Sequence, residues 1–228
     1  MNVTMVGRLD PCCLVTYGLD PDVAAGLLPA GLEPQVVDGK ALWGIVASRV
    51  VKMRPRGAPR LLGSTYVHVA HRIYAQATDA KGTQHQGLHF LRSDVDQFLM
   101  ALMGNRMTDF RFHRSKVHLH EDKAGLDLAV AGVPDADGRL RIRHARPKRP
   151  GLVPKYAPWG LSTARGGKVL KLAEVRRDEA AWREEPVTVE ESRWGLLDRL
   201  APGAKLLGAT RVAPIDYVWR IGERVRLA

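Results

Sequence analysis

Apolar and polar residues alternate through much of this chain, the period-two pattern of strands whose faces meet different surroundings. The clearest run covers residues 65–77. It puts Tyr66, His68, Ala70, Arg72 and Tyr74 on one face and Val67, Val69, His71, Ile73 and Ala75 on the other. A short apolar run at 13–17 starts a sheet. Val36-Val37-Asp38-Gly39 ahead of 41–51 predicts a hairpin, because Asp-Gly suits the positive φ angles of a type I′ turn. After a turn at 79–82, residues 85–91 return as a partner strand. Residues 110–121 and 126–133 read as a second hairpin, and 134–138 turn the chain into 139–144. Gly166-Gly167 forms the tip between 161–164 and 168–175, and two strands near 206–212 and 217–227 finish the chain.

Helical signals are fewer. Asp20-Pro21 reads as a cap followed by proline at the first helical position, with Val23, Leu27 and Leu28 on one face and Pro29 as the stop. Ser93 predicts the cap of a helix over 94–103, with Val95, Phe98, Leu99 and Leu102 as its stripe and Gly104 as its end. Thr188 with Glu191 has the spacing of a capping box for a helix carrying Trp194, Leu197 and Leu200. No repeat or long linker divides the chain, so a single domain over 1–228 is expected. The fold class is α+β, mostly β: curved antiparallel sheets that close on themselves, with a few short peripheral helices. Closed sheets of this size can hold one small ligand.

Composition changes this picture little. The 45% apolar and 26% charged shares are ordinary globular values. No apolar run is long enough to span a bilayer, and residues 1–10 lack a secretory pattern, so a cytoplasmic protein without membrane partners is the expectation. The only cysteines, Cys12 and Cys13, are adjacent, and neighbours rarely pair. They read as small apolar residues in a reducing compartment. A net charge of +11 could draw an anionic partner. The densest basic stretch is Arg139, Arg141, Arg143, His144, Arg146, Lys148, Arg149 and Lys155. It carries no nucleic-acid-binding signature, so a solvated strand face is favoured over a nucleic-acid surface.

Val15-Thr16-Tyr17, Leu19-Asp20-Pro21, Leu27-Leu28-Pro29 and Gly31-Leu32-Glu33-Pro34 together resemble the opening of acetoacetate decarboxylase-like proteins. The strand over 39–51 continues the match. Residues 65–74, the helix before Gly104, 110–117 and the paired glycines within 162–172 resemble an uncharacterised branch of that superfamily, a domain of unknown function. The likeness spans about residues 8–220. It implies a cone or barrel of curved antiparallel sheets around a cavity, often assembled as a homo-oligomer. The decarboxylases form a Schiff base on a lysine whose pKa a second, adjacent lysine lowers. Their Trp-Gly-Phe-Pro-Lys-Lys motif corresponds here to Thr108-Asp109-Phe110-Arg111-Phe112-His113, so Phe112 and His113 stand at the lysine positions. A superfamily glutamate falls at His68. Decarboxylation by the standard route is therefore not expected.

The candidate site follows from the face bearing His68 and Arg72. Arg72 could hold a carboxylate by paired hydrogen bonds, His68 and His113 could move a proton, and Tyr66, Tyr74 and Phe112 would shape the pocket. An outward, water-facing strand explains the same pattern about as well. Lys116 could serve as a displaced imine former of an aldolase or dehydratase if the strand register slips, although an exposed lysine is the more ordinary reading. Of the eight histidines, His118 with His120 and His85 with His89 share faces, but no metal-ligand motif supports them. No cofactor and no metal is implied. The reading is a binder of a small anionic or carbonyl ligand; the alternatives are a basic module for an anionic partner such as nucleic acid, or a Schiff-base lyase using Lys116.

Overall fold

The computed structural model describes residues 3–132, 135–147, 151–152, 154 and 159–227. The chain opens with β1 (Thr4–Leu19), α1 (Pro21–Leu27), β2 (Glu33–Pro34), β3 (Val36–Val37) and β4 (Lys40–Pro55). A 3-10 turn at Arg60–Leu62 leads to β5 (Ser64–Thr78), β6 (Gln84–Val95) and α2 (Phe98–Met107). Next come β7 (Phe112–Arg114), β8 (Lys116–Glu121), β9 (Gly125–Ala131), β10 (Gly138–Arg143), β11 (Trp159–Ala164) and β12 (Val169–Arg177). The last elements are β13 (Glu184–Pro186), β14 (Thr188–Trp194), α3 (Gly195–Leu200), β15 (Lys205–Val212) and β16 (Ile215–Arg226). The mostly-β architecture with short helices is as the alternation predicts.

Two sheets hold these strands. In the larger one, hydrogen-bonded neighbours run β1–β4–β5–β6–β11–β12–β16 and return to β1, a closed circuit. β1 makes closure possible by pairing with β4 along most of its length, with β16 through Thr4 to Leu9, and with β15 beyond Cys12. The smaller sheet, in the order β14-β10-β9-β8, lies against the outer face of the larger. Between them is the main core. Leu126, Leu128 and Leu140 of the small sheet meet Val15, Trp43 and Ile45 of the large one, all buried. Cys12 and Cys13 are both free and buried on β1, and burial pushes the Cys12 thiol up to about 12, so it stays protonated.

Local signals explain several junctions. Asp20 caps α1 by accepting from the Asp22 amide at 2.8 Å, with Pro21 at the first helical position. Asp38 and Gly39 adopt φ of 49° and 73° between β3 and β4, as the Asp-Gly turn requires.

Two helix expectations are corrected. β6 continues through Ser93 and Asp94 to Val95, and α2 starts only at Phe98. Asp94 is buried there, accepting from Ser115 Oγ at 2.5 Å and pairing with Arg92 at 2.7 Å. Gly104 lies inside α2, where a Cβ would stand 2.3 Å from the Phe112 ring, so close packing and not termination calls for glycine. Thr188 belongs to β14 and donates to the Ala145 carbonyl, while the helix begins at Gly195. The β10 edge supplies β14 with main-chain partners that outweigh the local capping pattern.

The inter-sheet core sets the stability of the scaffold. Leu128→Ala should lower the unfolding free energy by about 2–5 kcal/mol, read from urea denaturation, because this fully buried side chain leaves a void between rigid sheets.

Candidate functional site

The alternation that sends Val67, Val69 and Ile73 of β5 into the inter-sheet core sends Tyr66, His68, Arg72 and Tyr74 the other way. They line a cavity of about 510 Å³ inside the strand circuit. Neighbouring strands repeat the division: β1 turns Cys12 inward and Cys13 outward, and β4 turns Ser48 inward and Ala47 outward. One cross-strand row therefore carries Glu184, Val212, Cys12, Ser48 and His68 in register across β13, β15, β1, β4 and β5. All of these but Val212 line the cavity.

Arg72 lies between Gly44 of β4 and Phe90 of β6. The absent side chain at Gly44 leaves room: a Cβ there would stand 3.1 Å from the Tyr74 ring and 3.7 Å from an Arg72 terminal nitrogen. The Arg72 guanidinium sits 5.9 Å from the centre of the Phe90 ring, and its Nε has no hydrogen-bond partner. No carboxylate among the described residues forms an ion pair with it. Nearby, Arg177 stacks 3.4 Å over Trp182 and pairs with Glu179 at 2.7 Å. Trp182 Nε1 donates to Glu184 Oε1 at 2.5 Å, while Glu184 Oε2 has no partner.

His68 keeps company with rings: Phe112 at 5.4 Å and Tyr66 at 6.5 Å between centroids. Its Nε2 is also without a hydrogen-bond partner. Burial first, and the positive charge of Arg72 second, pull its pKa down to about 4, against a smaller opposing pull from Asp94. The ring is thus neutral at pH 7. Burial likewise holds the Tyr66 and Tyr74 hydroxyls above the usual tyrosine range, so both are protonated donors.

The remainder of the wall is largely apolar. Five of the chain's six methionines line it, three of them, Met100, Met103 and Met107, from α2. At the rim the lining residues Leu62, Leu99 and Met103 are also solvent-exposed, so the cavity reaches the surface beneath the 3-10 turn and α2. Gln97, at the cap of α2, donates to the Thr65 carbonyl at the start of β5.

The sequence matches the family model DUF2071, described as an uncharacterized conserved protein, over residues 8–201. The chain belongs to this family. No curated protein matches it. Among solved structures, an acetoacetate decarboxylase-like enzyme from Sphingomonas wittichii RW1 is similar at a TM-score of 0.63 and 18% identity, over 99% of this chain and 92% of that one. The acetoacetate decarboxylase of Legionella pneumophila subsp. pneumophila str. Philadelphia 1 follows at 0.61 and 12%, over 100% and 87%. The enduracididine biosynthesis enzyme MppR, complexed with the condensation product of pyruvate and imidazole 4-carboxaldehyde, gives 0.60 and 15%, over 99% and 89%. At these identities the likeness is one of fold.

In this DUF2071 chain, five of the residues singled out by the sequence line one cavity: Tyr66, His68, Arg72, Tyr74 and Phe112. His113 and Lys116 do not join them. His113 is exposed on β7, where it alternates with Phe112. The chain then leaves the main sheet at buried Ser115, so Lys116 starts β8 of the small sheet. There Val117 takes the core side, and Lys116, His118 and His120 face outward. No lysine is found among the described lining residues; Lys155 lies outside the described part of the chain. Among the described residues no three of the histidines, cysteines and carboxylates gather closely enough to hold a metal ion. In the basic stretch, Arg139 and Arg141 both pair with Asp127, Arg143 pairs with Glu190, and His144 lies 3.4 Å from Glu121. Lys148, Arg149 and Lys155 of that stretch lie outside the described residues.

Reading the sequence alone missed Ser48, Arg177, Trp182 and Glu184. Ser48 carried a signal, as one polar residue within the apolar run of β4. The other three reach the cavity through β12 and the following segment, and nothing in their local pattern marks them.

Two outcomes follow. The unfolded chain protonates His68 and His71 near pH 6.5, whereas the fold holds both near 4. Between these values the unfolded state binds more protons, so stability should fall as pH drops from 6.5 toward 4. Thermal melts at pH 7 and pH 5 will show the loss, and His68→Gln should make it smaller. Separately, in borohydride trapping with keto acids and aldehydes, peptide mapping should show Lys116 labelled no faster than the other exposed lysines. Selective labelling of Lys116 at low carbonyl concentration would mean that β8 opens onto the cavity.

Proposed function

We propose that this protein binds a small carboxylate or carbonyl compound in its internal cavity, with Arg72 as the anion-holding group. The observation that carries this reading is a guanidinium set in an apolar chamber without a carboxylate partner among the described residues. Such a charge is costly to enclose unless a counter-ion arrives, and the planar fork of arginine suits a carboxylate. Tyr74 and Tyr66 supply hydroxyl donors, Phe112 and Phe90 supply walls, and neutral His68 is the group able to share a proton with a bound carbonyl. That MppR has been seen with pyruvate, in a chain of the same fold, supports a small carbonyl acid as the kind of ligand. With Lys116 on the outer surface, this reading needs no imine chemistry.

Isothermal titration with pyruvate, acetoacetate and their neutral amides or esters tests it. The acids should bind more tightly than their neutral counterparts, and Arg72→Gln should weaken acid binding about ten- to a hundredfold, the worth of a charge-assisted hydrogen bond. Acid affinity unchanged in that variant would sink the assignment of Arg72.

A further inference from the structure

Resting on the reading of this cavity as a carboxylate site, we infer that its ligand is an amphipathic monocarboxylic acid: a head on Arg72 and an unbranched or ring-bearing apolar tail that runs to the rim at Leu62, Leu99 and Met103.

Size is the first argument. A cavity of about 510 Å³ is far larger than pyruvate or acetoacetate needs. At about 30 Å³ for each water-sized group, incomplete filling still leaves room for roughly ten to fifteen non-hydrogen atoms. Chemistry is the second. Apart from the polar row, Ser64, Thr108 and the residues about Arg72, the wall is apolar, mostly leucine, valine, methionine and aromatic side chains. A short keto acid would leave that surface facing water, whereas an apolar tail would cover it, at about 0.8 kcal/mol for each methylene buried. Methionine, unbranched and polarizable, fits a wall that must adapt to a flexible chain.

Direction is the third argument. β5 serves as a ruler along the cavity. Ser64 lies next to the rim, and Tyr66, His68, Arg72 and Tyr74 follow inward along one face. Ser64 and Arg72 stand eight positions apart on this strand face, so the rim and the head-group end lie at separate points along one strand. The rim itself is apolar and open: Leu62 is 73% exposed, Leu99 58% and Met103 42%. A soluble protein gains nothing by showing water such residues at the mouth of an apolar chamber, but a passage for an apolar chain requires them.

Glu184 restricts the head group. It lies within electrostatic reach of the same Cys12 and Tyr74 that feel Arg72, as does Arg177, whose charge is met by Glu179, and it is turned toward Trp182. A phosphate or a dicarboxylate placed at Arg72 would meet that second negative charge; a monocarboxylate meets it least.

The test is a titration series of straight-chain acids from acetate to dodecanoate, with the matched primary alcohols, alongside pyruvate and acetoacetate. Affinity should rise about three- to fourfold per methylene and then level off once the tail reaches the rim. The acids should outbind the alcohols at least tenfold, and Arg72→Gln should erase that difference. Leu99→Glu, a change at an exposed position of the rim, should weaken decanoate at least tenfold more than it weakens pyruvate. Pyruvate binding as tightly as the long acids would overturn the amphipathic tail and leave the small-carboxylate reading standing. Binding of no acid at any length would overturn both. Decanoate affinity unchanged in Leu99→Glu would overturn the exit at the rim.

Discussion

The structure depends on the closure of its main sheet. Seven strands pair in a circuit that starts and ends at β1, and a sheet closed in this way leaves those strands paired on both sides. Its outer face is covered by the small sheet along β1, β4 and β5, while its inner face looks into the ring. The pleat then sorts residues by parity alone. Odd-numbered positions of β5 from Val67 to Ile73 fill the inter-sheet core, and even-numbered ones from Tyr66 to Tyr74 furnish the interior. A shift of one residue in the pairing of β5 would exchange these sets, driving Arg72 into the leucine-rich core and Val69 into the cavity. The same register that stabilises the scaffold thus places the site.

Charge inside such a ring has consequences that couple the polar residues. Arg72 carries a guanidinium, and this enclosed positive charge acts on what titrates near it. It lies close enough to His68 to add to the effect of burial, and together they leave the imidazole neutral. A cationic histidine beside the arginine would set two positive charges against each other within one enclosed chamber. The pair therefore divides the work: Arg72 is the fixed cation, and His68 is a neutral partner able to accept or share a hydrogen bond. The face of Phe90 offsets part of the cost of enclosing the guanidinium. The bare backbone at Gly44 gives that guanidinium and the Tyr74 ring the space they occupy.

How much of this could be read from the sequence depends on the range of the interactions concerned. The two faces of β5 were legible, since alternation over 65–77 is a local property. Asp38-Gly39 and Asp20-Pro21 were legible too, because turn and cap chemistry needs only adjacent residues. Whether the polar face of β5 met water or a cavity could not be read locally, as that follows from β1 and β16 closing the ring. Ser93 and Thr188 misled for the same reason. Both have the composition of helix caps, yet β5 and β10 offer their main chains partners far away in sequence. Ser115 misled differently. The run 110–121 looks like one strand, but the chain changes sheets there, and with that change Lys116 passes from a potential interior position to the outer surface. Arg177 and Glu184 join the site only through the pairings of β12 and β13.

Parity also bears on Phe112 and His113, the two residues that the resemblance sets at the decarboxylase lysine positions: two successive residues of a strand point to opposite faces. In this chain Phe112 is the inward one, against His68 and over Gly104, while His113 is exposed. A nucleophilic amine at this point of the wall would therefore have to stand at position 112, where the aromatic ring now fills the space left by the missing side chain at Gly104. The two residues form one packing unit: a larger side chain at 104 would expel the ring, and a lysine at 112 would leave the hollow over Gly104 partly empty. The wall here is built around an aromatic contact. Main-chain pairing holds the sheets, so the scaffold keeps its shape at 12–18% identity to its structural neighbours whatever side chains the inner face carries.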